Sequence, residues 1–148
     1  MSKKAVREYD GKRMLCDWLA QKTSQPIIWN KFCSITPTTH IKQLPDQYPW
    51  LNDSSVQLVA KPDQLIKRRG KAGLVLIKSD FDRAIQWIDE RRDKEITVFN
   101  VTGVLDHFII EQFWAHQQSD EYYICIQVKR NYDEILFYHE GMGYTHRL

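Results

Sequence analysis

Between Val6 and Glu140 the apolar residues change period repeatedly, from helical spacing to alternation and back again. A chain patterned this way cannot be all helix or all sheet. Met14, Leu15, Trp18 and Leu19 share one helical face with Lys12, Arg13 and Asp17 turned outward, which predicts an amphipathic helix from about Val6 to Leu19. Ser24, Gln25 and Pro26 break it, and Ile27-Ile28-Trp29 opens a short strand ending near Ser34. A polar stretch follows, with a short helix expected at 39–44 before Trp50 enters the core. Ser55 to Ala60 reads as a strand stopped by Pro62 and Asp63, and Gly73 to Ile77 as another. Asp80 is a good cap for a second helix in which Phe81, Ala84, Ile85 and Ile88 keep helical spacing to about Arg92. Val104 to Phe113, Glu121 to Lys129 and Ile135 to Glu140 read as three strands, the last two joined through a tight reversal at Asn131-Tyr132-Asp133. The expected class is α/β (α+β), and the elements are too interleaved to cut into two independent domains.

Composition narrows the function classes. With 148 residues, 43% hydrophobic and 27% charged, the chain has the make-up of a globular domain rather than a disordered or collagen-like one. No stretch approaches the roughly 20 apolar residues of a membrane span, and residues 1–8 lack the apolar run of a secretory signal, so a cytoplasmic protein without membrane partners is expected. A formal charge of +2 is too small for general attraction to nucleic acid, so any anion site must be local. Cys16, Cys33 and Cys125 are odd in number and form no C-x-x-C pair, so they read as free thiols, with Cys125 a small buried hydrophobe between Ile124 and Ile126. Asn52-Asp53-Ser54 and Asn100-Val101-Thr102 match the glycosylation pattern by chance in a chain of that compartment.

The strongest chemical signal is Lys61-Pro62-Asp63 at a strand end followed by Lys67-Arg68-Arg69-Gly70-Lys71-Ala72-Gly73 and a further strand. Clustered cations repel one another unless water or an anion screens them, and glycines let backbone N–H groups approach that anion. Three readings stay open on these residues alone: a polyphosphate cradle, a solvated basic loop, and a nuclear-import or RNA-contact stretch. The P-loop pattern is absent, and Gly70-Lys71-Ala72-Gly73 lacks the hydroxyl residue that holds magnesium. Gly141-Met142-Gly143 is a lone G-x-G and reads as a turn. Phe108 to Trp114, with Glu121-Tyr122-Tyr123 beginning the next strand, reads first as core packing. A strand end could also offer backbone groups to a flat base, and Glu121 could accept from sugar hydroxyls. His40, His107, His116, His139 and His146 show no zinc spacing, and no nucleophile triad is visible.

Val59-Ala60-Lys61-Pro62-Asp63-Gln64-Leu65-Ile66-Lys67-Arg68-Arg69-Gly70-Lys71-Ala72-Gly73-Leu74-Val75 resembles the amino-terminal part of the ATP-citrate lyases, a family similar to the β subunit of succinyl-CoA synthetase. Pro49-Trp50-Leu51, Phe108 to Phe113, Glu121 to Ile126 and Phe137 to Gly141 sit in the family's order, so the resemblance covers about residues 4–143.

This resemblance implies a partial ATP-grasp fold with a mixed, largely antiparallel sheet and flanking helices. Residues 1–141 would be an incomplete amino-terminal subdomain and 142–148 a divergent tail. It also implies ATP as ligand, with Lys61 on the phosphates, Arg69 and Gly70 covering them, and Glu121 on the ribose. Gln112 and Trp114, where the family has Pro and Val, would give backbone hydrogen bonds to adenine. Mg2+ ligands, the citrate site and the coenzyme A chemistry would lie outside the chain, which alone should not turn over. A homo-oligomer, or association with a full-length subunit, is expected. The alternative function is a non-catalytic binding or regulatory module of the complete enzyme.

Overall fold

In a computed structural model, residues 6–25, 27–140 and 142–147 are described, the last of these strands by backbone except at Gly143. They belong to two compact units, Met1–Phe113 and Trp114–Leu148.

The first unit is organised by four antiparallel strands, β1 (Phe32–Ile35), β2 (Leu58–Pro62), β3 (Leu76–Ser79) and β6 (Phe108–Gln112), in the order β1-β6-β2-β3. Alternation sends Cys33, Ile35, Leu58, Ala60, Phe108 and Ile110 to one face, all fully buried. The helix α3 (Phe81–Asp89) packs Ala84 and Ile88 into the same core, and Trp87 meets Phe108 edge-on at 6.3 Å between ring centroids. Asp80 caps this helix as its sequence predicts, its side chain accepting from the Arg83 N–H at 2.8 Å. A short 3-10 turn (Ile41–Gln43) runs into α2 (Leu44–Gln47), where the sequence places its short helix, and Pro49–Asn52 forms another 3-10 turn. There Leu51, 3% exposed, fills the core rather than its neighbour Trp50, which packs against the edge.

The opposite face of the sheet carries Phe32, Val59, Lys61, Ile109 and Glu111, and α1 (Glu8–Lys22) is tied to it. Its inward stripe is Glu8, Tyr9, Lys12, Cys16 and Leu19, with Tyr9 edge-on to Phe32. The apolar face expected to turn inward lies outside instead, with Met14, Leu15 and Trp18 half exposed or more. The reason is electrostatic: the sheet face beneath offers Lys61 and Glu111, and only the Glu8/Lys12 stripe can pair with them.

Ile27-Ile28-Trp29 is not a strand, because β1 pairs Phe32 with Glu111 and its partner β6 ends one residue later, leaving the preceding residues no ladder to join. The span from Val104 to Phe113 is also interrupted. Val101–Val104 (β5) pairs with Glu95–Val98 (β4) as a separate hairpin, and Leu105–His107 crosses to β6. Its turn at Phe99 and Asn100 has no glycine to announce it, and Phe99 takes φ 55.

The second unit is a meander of β7 (Tyr123–Val128), β8 (Asp133–His139) and β9 (Met142–Arg147), preceded by a 3-10 turn at Gln118–Asp120. The reversal falls where Asn131-Tyr132-Asp133 predicts it, with Lys129 N–H donating to the Tyr132 carbonyl at 2.9 Å. Met142 and Gly143, read as part of a turn, lie in β9 opposite His139 and Tyr138, while Gly141 lies outside the described residues. Cys125, expected to be buried, is only half-buried in β7, on the face opposite the exposed Ile124 and Ile126; the fully buried thiol is Cys33.

Candidate functional site

Lys61 lies in β2 on the face beneath α1, its side chain 15% exposed. Its ammonium is 2.7 Å from Glu8 Oε1 and 2.7 Å from Glu111 Oε1. Lys12 Nζ sits 3.0 Å from the same Glu8 oxygen and hydrogen bonds Glu111 Oε2. Glu8, Lys12, Glu111 and Lys61 thus close a ring in which each carboxylate meets two ammonium groups. Arg69 joins from the β2–β3 loop, its Nη2 donating to Glu8 Oε2 at 2.7 Å and its Nη1 to the Pro62 carbonyl at 2.5 Å. Two carboxylates against three cations leave one positive charge in excess.

The ring sets protonation. Burial pushes the Glu8 carboxyl up, but the hydrogen bond and charge of Lys61, aided by Arg69 and Lys12, overcome it and bring the group down to about 2. Burial pushes the Lys12 amine down, and the charge and hydrogen bond of Glu111 together with those of Glu8 outweigh it, so the net shift is upward. Both shifts hold Glu8 and Lys12 in their charged forms at neutral pH.

Of the basic loop, Arg69 alone turns inward, while Lys67, Arg68 and Lys71 stand exposed. The loop closes on itself, since the N–H groups of Ala72, Gly73 and Leu74 donate to carbonyls of Arg68, Arg69 and Gly70. The conformational need for glycine falls at Gly73, with φ 68; an added Cβ at Gly70 would meet nothing within 4 Å. Gly70 therefore leaves an open approach next to Arg69.

Asp63 follows directly and is 1% exposed. Its carboxylate accepts the N–H groups of Glu8 at 2.7 Å and Tyr9 at 3.2 Å, capping α1 from across the fold, since Arg7 at the N-cap provides no side-chain acceptor. Gln64 completes the anchor, its Oε1 accepting from Asp106 N–H at 3.0 Å.

Gln112, at the end of β6, donates its N–H to the Lys31 carbonyl at 3.0 Å and stands opposite Leu58 of β2. In the second unit, His116 sets Nδ1 2.8 Å from the Trp114 carbonyl and Nε2 3.0 Å from Glu121 Oε1. Both neighbours are acceptors, so both ring nitrogens must donate. The hydrogen bond to Glu121 raises the His116 pKa above the ordinary 6.5, consistent with an imidazolium.

The sequence reading missed Glu8, Lys12, Glu111, Asp63 and His116. Glu8 and Lys12 do carry a signal, the i,i+4 spacing that pairs opposite charges on a helix. Among the described residues, no three or more His, Cys, Asp or Glu side chains converge as a metal site, and no helix is long and apolar enough to cross a membrane. A hollow of about 860 Å3 lies elsewhere in the first unit, lined by Lys42, Asp46, Phe81, Ile85 and Glu90 among others, and by none of the site residues predicted from the sequence.

Comparison with known proteins gives a consistent result. Residues 2–143 match the family described as the ATP-citrate synthase ATP-grasp domain. The human ATP-citrate synthase is 43% identical over 143 residues, 95% of this chain and 12% of that protein. The probable ATP-citrate synthase subunit 2 of Schizosaccharomyces pombe is 37% identical, over 95% of this chain and 34% of that one. Among solved structures, the ATP citrate lyase of Methanothrix soehngenii in complex with citrate and coenzyme A superposes with a TM-score of 0.88 at 32% identity, covering 99% of this chain and 35% of that chain. The chain thus spans about an eighth of the human relative and about a third of the others. With its family match running over residues 2–143, the chain belongs to the ATP-citrate synthase ATP-grasp domain family.

Proposed function

We propose that this chain is the amino-terminal nucleotide-binding part of an ATP-citrate lyase, the enzyme that makes acetyl-CoA and oxaloacetate from citrate and coenzyme A using ATP. The observation that carries the reading is the convergence of Lys61 and Arg69 on the two oxygens of one carboxylate, each at 2.7 Å. Two cations held at the span of one small anion can serve two oxygens of a phosphate in the same way. The excess positive charge favours a polyphosphate, and the absent side chain at Gly70 gives it room to approach.

Lys61, Arg69 and Gly70 take the phosphates in this reading. The Gln112 carbonyl and the Trp114 main chain take adenine, and the Glu121 carboxylate takes the ribose hydroxyls, as the family resemblance implies. Magnesium accompanying the nucleotide draws its protein ligands from portions of the relatives that this chain does not span, as do citrate and coenzyme A. Turnover therefore needs those portions, and the role of this chain is to bind and orient the nucleotide.

Isothermal titration of ATP into the chain and into Lys61→Ala, Arg69→Ala and Lys71→Ala tests the reading. The first two substitutions are expected to weaken binding at least tenfold, while Lys71→Ala, at an exposed position, leaves it within about twofold. Equal loss in all three, or in none, would return the loop to a merely solvated one.

A second reading, a non-catalytic module that associates with the complete enzyme, is favoured by one feature. Ile124, Ile126 and Val128 lie on one face of β7 at 64%, 67% and 82% exposure. Co-purification with the intact enzyme that is lost in Ile126→Asp and kept in Lys61→Ala would support it.

A further inference from the structure

Glu8 belongs to no part of the basic loop, yet it touches both cations assigned to the phosphates. An ammonium has three donors and a guanidinium five. Among the described residues, Lys61 spends two donors on Glu8 and Glu111, and Arg69 spends one on Glu8 and one on the Pro62 carbonyl. Each cation therefore keeps donors for a ligand while still bound to Glu8.

Glu8 could be a stand-in that a phosphate displaces, or a fitting that stays. Its anchorage decides between the two. The Glu8 N–H is held by Asp63 at 2.7 Å, Oε1 by Lys61 and Lys12, and Oε2 by Arg69. Expelling the carboxylate would strip Lys12 of one of its two counter-charges and leave the capped first turn of α1 in place, with its side chain unpaired beside the incoming phosphate. Keeping it preserves both counter-charges of Lys12 and leaves the unspent donors of Lys61 and Arg69 for the ligand.

We infer that Glu8 is a positioning residue of the phosphate site, its two carboxylate oxygens holding Lys61 and Arg69 at the spacing of one phosphate and remaining bound when a triphosphate arrives. The inference rests on the phosphate reading above and adds to it a residue on a different element.

The test uses the full chain with ATP, inorganic tripolyphosphate and adenosine as separate probes. Glu8→Gln keeps the shape and removes the charge that holds both cations. It is expected to weaken ATP and tripolyphosphate about tenfold and leave adenosine unchanged, with Glu8→Asp intermediate because it keeps the charge on a shorter arm. Tripolyphosphate binding that is unchanged or tighter in Glu8→Gln overturns the inference. If Lys61→Ala also leaves tripolyphosphate binding unchanged, or the parent chain binds neither ATP nor tripolyphosphate, the phosphate reading itself falls and takes this one with it. A measurement on the unaltered chain guards against a variant that fails to fold. The carboxyl carbon resonance of Glu8 should keep its ionised, paired position on saturation with tripolyphosphate. Movement to the value of a free, solvated carboxylate would show displacement and overturn the inference.

Discussion

Asp63 holds Glu8 by the main chain although 55 residues separate them, its buried carboxylate accepting the Glu8 N–H at 2.7 Å. The strand that carries Lys61 thereby also fixes the start of the helix that carries Lys61's counter-ion. One dipeptide step, Pro62-Asp63, joins the cap to the cationic residue, so displacement of either element moves both.

Replacing Asp63, 1% exposed, removes the acceptor for two helix N–H groups. Asp63→Ala is expected to cost about 2 kcal/mol, at the upper end for a cap because one buried carboxylate serves two donors. Asp63→Asn, which keeps one acceptor oxygen and turns an amide toward the second donor, should lose about half as much. Urea denaturation followed by circular dichroism reads both, and two variants as stable as the parent would remove Asp63 from the framework.

The Glu8 ring makes stability depend on pH in a defined direction. The Glu8 carboxyl falls from 4.5 to about 2 on folding, so its contribution is fully present above about 4.5 and is lost as pH drops from there toward 2. Lys12 is shifted upward, so its contribution holds below its ordinary 10.5 and disappears as pH rises through the folded value. The Glu8 shift, in a side chain 23% exposed, corresponds to roughly 3 kcal/mol at most. Thermal melts of the parent and of Glu8→Gln should differ at pH 6 and converge by about pH 2. A difference that stays the same across that range would show that the Glu8 charge is not what stabilises the fold.

Much of the first unit can be read from residues, because its elements follow local rules. Asp80 before Phe81, Ala84, Ile85 and Ile88 gives the cap and the buried face of α3, and Leu58 with Ala60 gives the inner face of β2. The run from Lys61 to Gly73 pointed to the inward Lys61 and Arg69 only through the family resemblance, since composition ranks Lys67, Arg68 and Lys71 equally and the fold does not. Which side of α1 faces the sheet was not legible. A hydrophobic stripe at Met14, Leu15 and Trp18 outweighs Glu8 and Lys12 in any local count, and the deciding partners lie on β2 and β6, Lys61 53 residues from Glu8 and Glu111 99 residues from Lys12. The β4–β5 hairpin was hidden for a related reason, because Phe99 adopts a left-handed backbone that sequence rules assign to Gly or Asn.

The two glycines of the loop should separate in their effects. Gly73 has φ 68, where a Cβ is strained, so Gly73→Ala is expected to lose about 1 kcal/mol in urea denaturation. At Gly70 a Cβ has open space, so Gly70→Ala should keep stability within about 0.5 kcal/mol. Loss of ATP affinity in Gly70→Ala at unchanged stability would then report crowding of the ligand rather than of the protein. Destabilisation of the Gly70 variant equal to that of the Gly73 variant would contradict the loop conformation.

His116 bridges two acceptors, the Trp114 carbonyl and the Glu121 carboxylate, and can satisfy both only when doubly protonated. The Glu121 hydrogen bond and, after it, the Trp114 carbonyl raise its pKa above 6.5. The bridge is therefore complete below that ordinary value and is lost as pH rises through the raised one, when one nitrogen becomes an acceptor facing an acceptor. Titration of the His116 ring protons by NMR is expected to give a midpoint above 6.5 in the parent chain and one closer to 6.5 in Glu121→Gln, where the charge is gone but an acceptor remains. If Glu121 holds ribose as proposed, ATP draws its carboxylate away from the imidazole, so saturation with ATP should move the midpoint in the same direction as Glu121→Gln. A midpoint indifferent to both changes would mean that neither the carboxylate nor the nucleotide acts on this histidine.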